Sequence, residues 1–507
     1  MFKQVLSAAL LGLEAVPVQV EADVSDGLPT FTMVGTLGSQ VREAQDRVRT
    51  ALKNEGIALP PKRITINISP ADIRKEGSRF DLPIALAILS SEGIIPEHAL
   101  DGVMVIGELS LNGHINGVNG VLGTVMAARD KGCRAAIVPA VNRREGALVR
   151  EIPVVGVGTL SEALDYLKKG FPEKAAEEGE GVLLNDYKED FKDIHGQKSV
   201  KRAAVMAVAG FHNMLMSGPP GSGKTMVARR MVTILPELSL EESLEITKIY
   251  SVAGLLDPDH PVISRRPFRS PHHTLSPQAL AGGGVIPRPG EITLAHRGIL
   301  FLDEMPEFSR TSLEILRQPL EDRKITIARS AGTFVFPAGF LLLAAMNPCP
   351  CGYFPDMNRC TCSMNDVARY QARISKPLLD RIDISVDSPA VDYEALMTRG
   401  EEGQSSAELR EIVSRVRERQ KARFGETGIV FNSEIPSSAL DDFCPRTAEA
   451  ERELRRAFDR LHLSARGVHR LLRVARTAAD LDGAEVIDVT HIREAVVYRP
   501  PEKMVGK

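Results

Sequence analysis

The pattern of apolar and polar positions changes character twice along the chain. Residues 1–170 alternate short apolar runs typical of strands, such as PVQVEADV and RITINIS, with the helical patterns DLPIALAIL and VLGTVMAARDKG. This alternation predicts an α+β domain with short connections. Residues 186–395 follow the order helix, strand, glycine-rich loop, helix, then further strands and helices, which indicates a parallel sheet wound with helices. Helical periodicity dominates residues 396–507, so a C-terminal helical domain is expected.

A segment without apolar periodicity separates the first two regions. Residues 171–185 begin with FPEKAAEEGEG, which is acidic and rich in small residues, so a solvated linker is predicted there. At 507 residues the chain is too long for a single core, in agreement with several domains.

The overall charge gives little indication of a partner. The net charge of -3 does not indicate a surface that binds nucleic acid, so any basic surface must be local. The chain has no apolar run of about 18 residues, which argues against a membrane span. The apolar N-terminal stretch is short and the acidic EADVSD follows it, so we interpret it as a first strand of a cytoplasmic protein.

A glycine-rich segment lies between the apolar run NMLM and the helical pattern MVARRMVTIL. It fits the P-loop pattern G-x-x-x-x-G-K-[ST] and consists of Gly218, Pro219, Pro220, Gly221, Ser222, Gly223, Lys224 and Thr225. In such a loop the backbone N–H groups face phosphate oxygens at the N-terminus of a helix. Lys224 is expected to neutralise the β- and γ-phosphates of ATP, and Thr225 to offer a hydroxyl to Mg²⁺. The flanking strand and helix support the prediction of a nucleotide site.

Polar residues end two further apolar strands. In GILFLDEMPEF, Asp303 is expected to hold the water shell of Mg²⁺ and Glu304 to polarise the attacking water. In FLLLAAMNP, Asn347 could contact the γ-phosphate or that water. An acidic turn, or an Asn before Pro, is by itself an ordinary loop feature, so these assignments depend on the P-loop.

The order of these parts resembles the AAA+ ATPases, and SKPLLDRIDISV resembles their magnesium-chelatase-like and replicative-helicase branch. The resemblance implies that Arg381 is an arginine finger for a neighbouring subunit's nucleotide. It also implies that Arg466 is a second sensor arginine on the helical lid, and that Gly196 and Gln197 border the adenine. A planar guanidinium suits the charge that develops on the γ-phosphate. A finger that acts between subunits implies a ring, by analogy a homohexamer.

Four of the six cysteines are crowded into NPCPCGYFPDMNRCTC. They are Cys349, Cys351, Cys360 and Cys362. Four thiolates at this spacing could close a tetrahedral structural zinc site, although C-x-C is less typical than C-x2-C. A redox-sensitive pair or simple reduced cysteines are the alternatives. Cys133 and Cys444 are isolated, and we expect them to be packing residues.

Two segments of the second region are candidates for contact with a polymer. The segment from Pro267 to Gly298 is predicted to be an inserted loop poor in core residues, and EDRKITIARSAGTFVFPAG a β-hairpin. Both resemble the inserts that point into the central pore in this branch of AAA+ rings. Basic side chains there can contact a DNA phosphate backbone without reading bases. The candidates are Arg269, His272, His273, Arg288, Lys324 and Arg329.

The combination of PFRSPHHTLSPQALAGGG, LFLDEMPEF, NPCPCGY and SKPLLDRIDISV resembles the YifB/ComM family of magnesium-chelatase-like AAA+ proteins, over nearly the full chain. That family includes hexameric DNA helicases that drive branch migration during recombination in natural transformation. The resemblance therefore implies an ATP-driven motor acting on single-stranded or branched DNA.

Residues 1–170 resemble the proteolytic domain of Lon proteases, in RKEGSRFDLPIALAILSS and GELSLNGHINGVNGVLGTVMAARDKG. A Lon-type enzyme needs a nucleophilic Ser and a Lys close enough to take its proton. Asp81 lies where the Ser belongs and Leu122 where the Lys belongs, and Ser78 is displaced by three positions. We therefore expect a domain without peptidase activity that serves ring assembly or DNA contact.

Two other classes of function stay open on the sequence. A metal-chelatase motor subunit, inserting Mg²⁺ into a porphyrin through a partner, would share the nucleotide site, but such subunits lack the Lon-like domain and the PHHT loop. An ATP-dependent protease is disfavoured by Asp81 and Leu122. No membrane partner is expected.

Overall fold

The computed structural model describes residues 2–171, 187–329, 332–390 and 403–499. Apart from Phe171, the predicted linker 171–185 lies outside the described residues, as does the predicted boundary between residues 395 and 396. The domain limits proposed from the sequence therefore stay predictions.

Residues 2–171 form a mixed sheet covered by helices on both faces. The strands are β1 (Phe2–Leu11), β2 (Glu14–Ser25), β3 (Thr30–Val34), β4 (Arg63–Ser69), β5 (Val103–Val105), β6 (Glu108–Leu109), β7 (Ile115–Asn116), β8 (Ala135–Pro139) and β9 (Val154–Val157). The helices are α1 (Ser39–Arg42), α2 (Ala44–Asn54), α3 (Asp81–Ser91), α4 (Val121–Asp130), α5 (Arg143–Gly146) and α6 (Leu160–Lys169). The sheet order is β3-β4-β2-β1-β5-β8-β9, and β6 pairs with β7 beside it. The predicted strands and helices of this region are confirmed.

The burial of the N-terminal helices follows their composition. Helix α3 is apolar on all sides and is buried along almost its whole length. It packs with α2 and α6 on one face of the sheet, whereas α4 covers the opposite face. The apolar strands between these layers complete the core.

The described residues 187–329 and 332–390 form a region built around a parallel sheet. Its helices are α7 (Lys198–Gly210), α8 (Lys224–Met231), α9 (Leu240–Ala253), α10 (Pro277–Ala281), α11 (Glu291–Leu294), α12 (Arg310–Ile315), α13 (Arg317–Asp322), α14 (Met364–Gln371) and α15 (Lys376–Leu379). Its strands are β10 (Met214–Ser217), β11 (Phe268–Arg269), β12 (Gly282–Gly283), β13 (Arg288–Pro289), β14 (Ile299–Leu302), β15 (Lys324–Arg329), β16 (Gly332–Pro337), β17 (Leu341–Met346) and β18 (Ile384–Asp387). The order β11-β14-β17-β10-β18 is parallel at every pairing. The strands β10, β14 and β17 are buried throughout, as predicted for apolar runs in a parallel sheet.

The segment Pro267–Gly298 is more ordered than predicted. Instead of forming one inserted loop, it contributes the edge strand β11 to the central sheet and contains the helices α10 and α11. It also buries core residues, among them Leu280 and Ile292. Elements of two to five residues produce no visible periodicity, which explains the wrong prediction. The predicted β-hairpin is confirmed as β15 paired antiparallel with β16.

Helices form most of the described residues 403–499, as predicted. They are α16 (Ser406–Phe424), α17 (Leu440–Phe443), α18 (Ala448–Arg460), α19 (Ala465–Leu481) and α20 (Val489–Val497). Helices α16 and α19 pack against α7, and Gln420 on α16 donates a hydrogen bond of 2.9 Å to the carbonyl of Ala209. In the part of the chain that the structure describes, no helix combines the length and the apolar character needed to cross a membrane.

The N-terminal region contacts the P-loop region through α4 and α9. The buried Glu145 carboxylate accepts hydrogen bonds from the Ser251 hydroxyl on α9 and from the N–H of Leu122. Lys248 on the same helix pairs with Glu14 at 2.8 Å. Burial, the largest cause, raises the pKa of Glu145 above its ordinary value although its hydrogen bonds act against the rise.

Candidate nucleotide-binding site

The P-loop connects the buried strand β10 to helix α8, which begins at Lys224. Gly218 passes so close to the Ser388 carbonyl that a side chain there would overlap it. Gly223 has φ +82°, a left-handed conformation that glycine adopts without steric cost. These two glycines let the loop turn tightly at the N-terminus of α8, the geometry that binds phosphate.

Lys224 is buried within the loop. Its Nζ donates hydrogen bonds to the carbonyls of Gly218 at 2.7 Å and Pro219 at 2.9 Å, and to Asn347 Oδ1 at 3.3 Å. Burial lowers the pKa of the Lys224 ammonium, whereas the nearby Asp303 and Glu304 carboxylates act in the opposite direction. The predicted lysine and the predicted asparagine of β17 therefore meet at the carboxyl end of the sheet.

Thr225 and Asp303 also meet, although 78 residues separate them in the sequence. The Thr225 hydroxyl donates a hydrogen bond of 2.7 Å to Asp303 Oδ2, while Oδ1 accepts the N–H of Glu304 at 3.0 Å. A hydroxyl and a carboxylate side by side form a donor set that suits Mg²⁺. The residues present thus fit the metal that accompanies ATP.

Glu304 follows β14 in an uncommon conformation. Its φ of +50° lies in the left-handed region, and its side chain is 57% exposed. His273 Nδ1 lies 3.7 Å from Glu304 Oε2, and the His273 ring packs against His272 and edge-on against Phe308. This contact, which no sequence pattern indicated, places His273 beside the predicted catalytic carboxylate.

The segment before α7 touches the P-loop. Gln197, with φ +50°, donates a hydrogen bond from Nε2 to the carbonyl of Ser222. The preceding Gly196 also has a positive φ, of +62°. The pair predicted to border the adenine is therefore adjacent to the phosphate loop.

Arg381 and Arg466 meet at a carboxylate that sequence reasoning missed. Arg381 forms an ion pair of 2.6 Å with Glu321 on α13, and Arg466 approaches the same carboxylate at 3.3 Å. Arg381 also donates to the carbonyls of Arg317 and Pro377. Among the residues that the structure describes, neither guanidinium bonds to the P-loop, Asp303 or Glu304. The structure thus groups the two predicted arginines with each other and not with the nucleotide loop of their own chain.

The basic residues of the two candidate pore segments differ in availability. Arg269 is committed to a bidentate ion pair with Glu291, at 2.6 and 2.7 Å, which contradicts its assignment as a free phosphate contact. His272 bonds to Thr274 within its own loop. Four of the six candidates are exposed: His272, Arg288, Lys324 and Arg329.

The four clustered cysteines converge. The Sγ–Sγ distances are 3.4 Å for Cys349–Cys351, 3.6 Å for Cys351–Cys360 and 3.8 Å for Cys349–Cys360. All four sulfurs, including that of Cys362, lie within 4.8 Å of one another. Backbone N–H groups of Tyr353 and Thr361 lower the pKa of Cys351 to about 6. The cluster is able to hold a metal ion.

The Lon-like positions of the N-terminal region carry different chemistry. The Asp81 carboxylate is fully buried and accepts hydrogen bonds from Arg47 at 2.7 and 2.9 Å and from the N–H of Leu109 at 3.2 Å. Burial raises its pKa although Arg47 acts against the rise. Leu122 is buried and Ser78 hydrogen-bonds to Glu108, so no serine and lysine dyad forms at these positions.

Comparison with known proteins agrees with this geometry. Three family models match the chain: "Magnesium chelatase, subunit ChlI" over residues 190–396, "Subunit ChlI of Mg-chelatase" over residues 20–142, and "Magnesium chelatase, subunit ChlI C-terminal" over residues 403–499. The fold and the site thus define a P-loop ATPase of the magnesium-chelatase-like AAA+ class.

Relatives of nearly the same length make the assignment more specific. The competence protein ComM of Haemophilus influenzae is 41% identical over 507 residues, covering 99% of this chain and 98% of ComM. The YifB protein of Escherichia coli is 40% identical, covering 98% and 97% of the two chains. This chain therefore belongs to the YifB/ComM family. This confirms the predicted family and does not favour the chelatase subunit as the function.

The similarity to proteases is local. Lon protease 2 of Bacillus subtilis is 32% identical over 145 residues, which cover 27% of this chain and 26% of the protease. The predicted Lon-like character of the N-terminal region is confirmed, while the residues at the catalytic positions differ as described above.

Proposed function

We propose that this protein is an ATP-driven ring motor acting on single-stranded or branched DNA, with helicase or branch-migration activity in recombination or natural transformation. The nucleotide site supports an ATPase of this class, and the relative ComM is named for competence. The observation that supports a ring-shaped assembly is that Arg381 and Arg466 both pair with Glu321, away from the P-loop of the same chain.

Hydrolysis at this site needs the residues that the fold brings together. Lys224 balances the charge of the β- and γ-phosphates, and Thr225 with Asp303 would hold Mg²⁺, which adds further positive charge there. Glu304 orients the water that attacks the γ-phosphorus and accepts its proton, while the bond to the ADP oxygen breaks. Asn347 fixes the γ-phosphate or the water in this proposal, which its hydrogen bond from Lys224 supports.

The two arginines suit a nucleotide on a neighbouring copy. Two guanidinium groups share one carboxylate, which leaves a net positive charge at this place. Arg466 is 65% exposed and thus accessible to a second chain, whereas the Arg381 side chain is 10% exposed and reaches a neighbouring nucleotide only by leaving Glu321. Such a pair stabilises the charge that develops on a transferred phosphoryl group. We propose a homohexamer in which each nucleotide lies between two copies.

The proposed DNA contact is the hairpin β15–β16 with the neighbouring turn at β13. Lys324, Arg329 and Arg288 are exposed there, and contacts to phosphates need only positive charge and reach. On β16 of the hairpin, opposite Ile327, Phe334 lies against Gly12 in the turn between β1 and β2. The N-terminal region thus supports the hairpin, in keeping with a role in ring assembly or DNA contact.

The decisive experiment compares ATP hydrolysis alone and with single-stranded, duplex and branched DNA. We expect stimulation by single-stranded or branched DNA, and strand displacement or branch migration that is lost in Lys224→Ala and Glu304→Gln. An equal ATPase rate under all four conditions would contradict a DNA motor.

We also propose that the four cysteines hold a structural Zn²⁺. A tetrahedron with Zn–S arms of about 2.3 Å has sulfur–sulfur edges of about 3.8 Å. The three Sγ–Sγ distances among Cys349, Cys351 and Cys360, which are 3.4, 3.6 and 3.8 Å, come close to those edges. The test is metal content by mass spectrometry: one zinc per chain in the wild type and in Cys133→Ser, but none in Cys360→Ser/Cys362→Ser. A wild-type protein purified with zinc available but free of metal would exclude the site.

A further inference from the structure

The loop that carries the four cysteines begins where the nucleotide site ends. Strand β17 pairs with the P-loop strand β10, with Met346 opposite Ser217, and the N–H of Gly218 donates to the carbonyl of Met346 at 3.2 Å. The next residue, Asn347, contacts Lys224, and the cysteine loop starts two residues later at Cys349. The loop of the four cysteines therefore begins directly beside the hydrogen bond between Asn347 and Lys224.

The same loop touches the P-loop a second time. Gly352 lies against Pro220, so closely that a Cβ on Gly352 would overlap the Cδ of the proline ring and lie 2.7 Å from its Cγ. The φ of Gly352 is +86°, which also favours glycine. The backbone of the cysteine loop is thus packed directly on the second proline of the phosphate-binding loop.

The turn at Gly352 is held by a metal-ligand candidate. The N–H of Gly352 donates to the carbonyl of Cys349 at 3.0 Å, and the N–H of Phe354 donates to Cys349 Sγ at 3.4 Å. Cys351 directly precedes Gly352. Fixing the sulfurs of Cys349 and Cys351 on one ion therefore fixes the turn between them. On the other side, Gln371 on α14 donates to the carbonyl of Pro348 at 3.0 Å and anchors the start of the loop.

We infer that the metal-bound cysteine loop is a brace for the P-loop, and that Gly352 is the positioning residue through which it acts on Pro220. The inference rests on the metal site proposed above, not on the DNA activity. Gly352 is buried whereas Pro220 is exposed, and the two approach so closely that a displacement of the turn at Gly352 must be followed by the Pro220 ring. Loss of the metal would free the turn at Gly352 and the path to Asn347, so nucleotide affinity depends on the metal although no cysteine touches the nucleotide.

Three variants of the full-length protein, two single and one double, test the brace, and each is titrated with MgADP by calorimetry and analysed for zinc. We expect Gly352→Ala to keep one zinc per chain but to bind MgADP about tenfold more weakly, because overpacking displaces Pro220. The matched control is Gly132→Ala, which has a similar φ of +72° but no atom within 4 Å of the added methyl group. That variant should bind as the wild type does. Cys360→Ser/Cys362→Ser should lose zinc and bind more weakly.

A double-mutant cycle separates the contact from other effects. In the wild-type background Gly352→Ala should weaken MgADP binding about tenfold, but in a Pro220→Ala background it should weaken binding less than about threefold. The reason is that the ring that the new methyl group meets is gone. The comparison holds whatever effect Pro220→Ala has alone. Wild-type affinity in zinc-loaded Gly352→Ala, or an equal cost in both backgrounds, would overturn the brace. So would a wild-type protein without zinc. A flat response to DNA with an intact cycle would reject the proposed motor and leave the brace standing.

Discussion

The nucleotide site and the Lon-like site of this protein both place acidic side chains at the ends of buried elements, but they use them differently. Glu304 is more than half exposed, so its carboxylate is accessible from solvent. Asp81 is fully buried, and both of its oxygens are occupied by Arg47 and the Leu109 N–H. A carboxylate whose acceptors are all used internally stabilises a fold, whereas one left accessible can act on a ligand.

The largest effect is expected from the accessible carboxylate. Glu304→Gln removes the proton acceptor without changing the shape, so ATP hydrolysis should fall by about 10²–10⁴-fold while nucleotide binding persists. Phosphate release and MgADP titration measure the two quantities. Glu307→Gln, in the same turn but paired with Arg373, is the control and should retain most of its activity. Equal rates in Glu304→Gln and the wild type would remove the contrast between the two sites.

The buried carboxylate should affect stability instead. Asp81→Ala leaves the Arg47 guanidinium, 22% exposed, without its main partner, so the N-terminal region should lose about 3 kcal/mol. Glu43, the exposed second partner of Arg47 at 3.6 Å, gives the control: Glu43→Ala should cost less than about 1 kcal/mol. Calorimetric unfolding of the three proteins checks the order, and equal transitions would show that the buried pair contributes nothing.

The Lon-like site should show no peptidase activity. Ser78 hydrogen-bonds to Glu108, and Leu122 offers no base to activate a hydroxyl. Neither the wild type nor Ser78→Ala should digest casein, with or without ATP. Digestion that disappears in Ser78→Ala would restore a protease to this region.

The smallest expected effect is on the stability at low pH. Protonation should destabilise the fold at Glu245, on helix α9, and stabilise it at Glu145, which contacts the same helix. The His296 imidazole, whose Nε2 lies 3.0 Å from Glu245 Oε1, is the main cause that lowers the pKa of Glu245 to about 2, so the stabilising contribution of Glu245 is lost as the pH falls below about 4.5. Burial raises the pKa of Glu145, so its protonation favours the folded state on acidification.

The two glutamates should therefore alter the pH dependence in opposite directions. From about pH 5 to about pH 3 the melting temperature should fall less in Glu245→Gln than in the wild type, and more in Glu145→Gln. Parallel curves for all three proteins would contradict both assignments.

Local spacing was enough to predict the parts of the nucleotide site that lie on strand ends. Lys224, Asp303 and Asn347 follow apolar strands, and a parallel sheet brings such ends to one edge. The longer elements of the N-terminal region, such as β2 and α3, were predictable for a similar reason, since their patterns extend over more than ten residues.

Contacts between distant segments carried no local signal. Glu321 lies 60 residues from Arg381 and 145 from Arg466, and nothing in its surroundings marks it. The contact of Gly352 with Pro220 depends on the path of two loops. Arg269 meets Glu291 only because the segment Pro267–Gly298 folds back on itself. Pairings of this kind are decided by tertiary packing, which periodicity does not report.

The central claim is that neighbouring copies share each nucleotide site and use its hydrolysis on DNA. The most direct measurement co-expresses Glu304→Gln and Arg381→Ala chains with different tags, purifies the mixed assemblies and records ATP hydrolysis with branched DNA. Each variant alone should be inactive, but mixed assemblies should regain activity at about one interface in four, where Glu304 of one copy meets Arg381 of the next. Mixed assemblies as inactive as the separate variants would contradict the shared site.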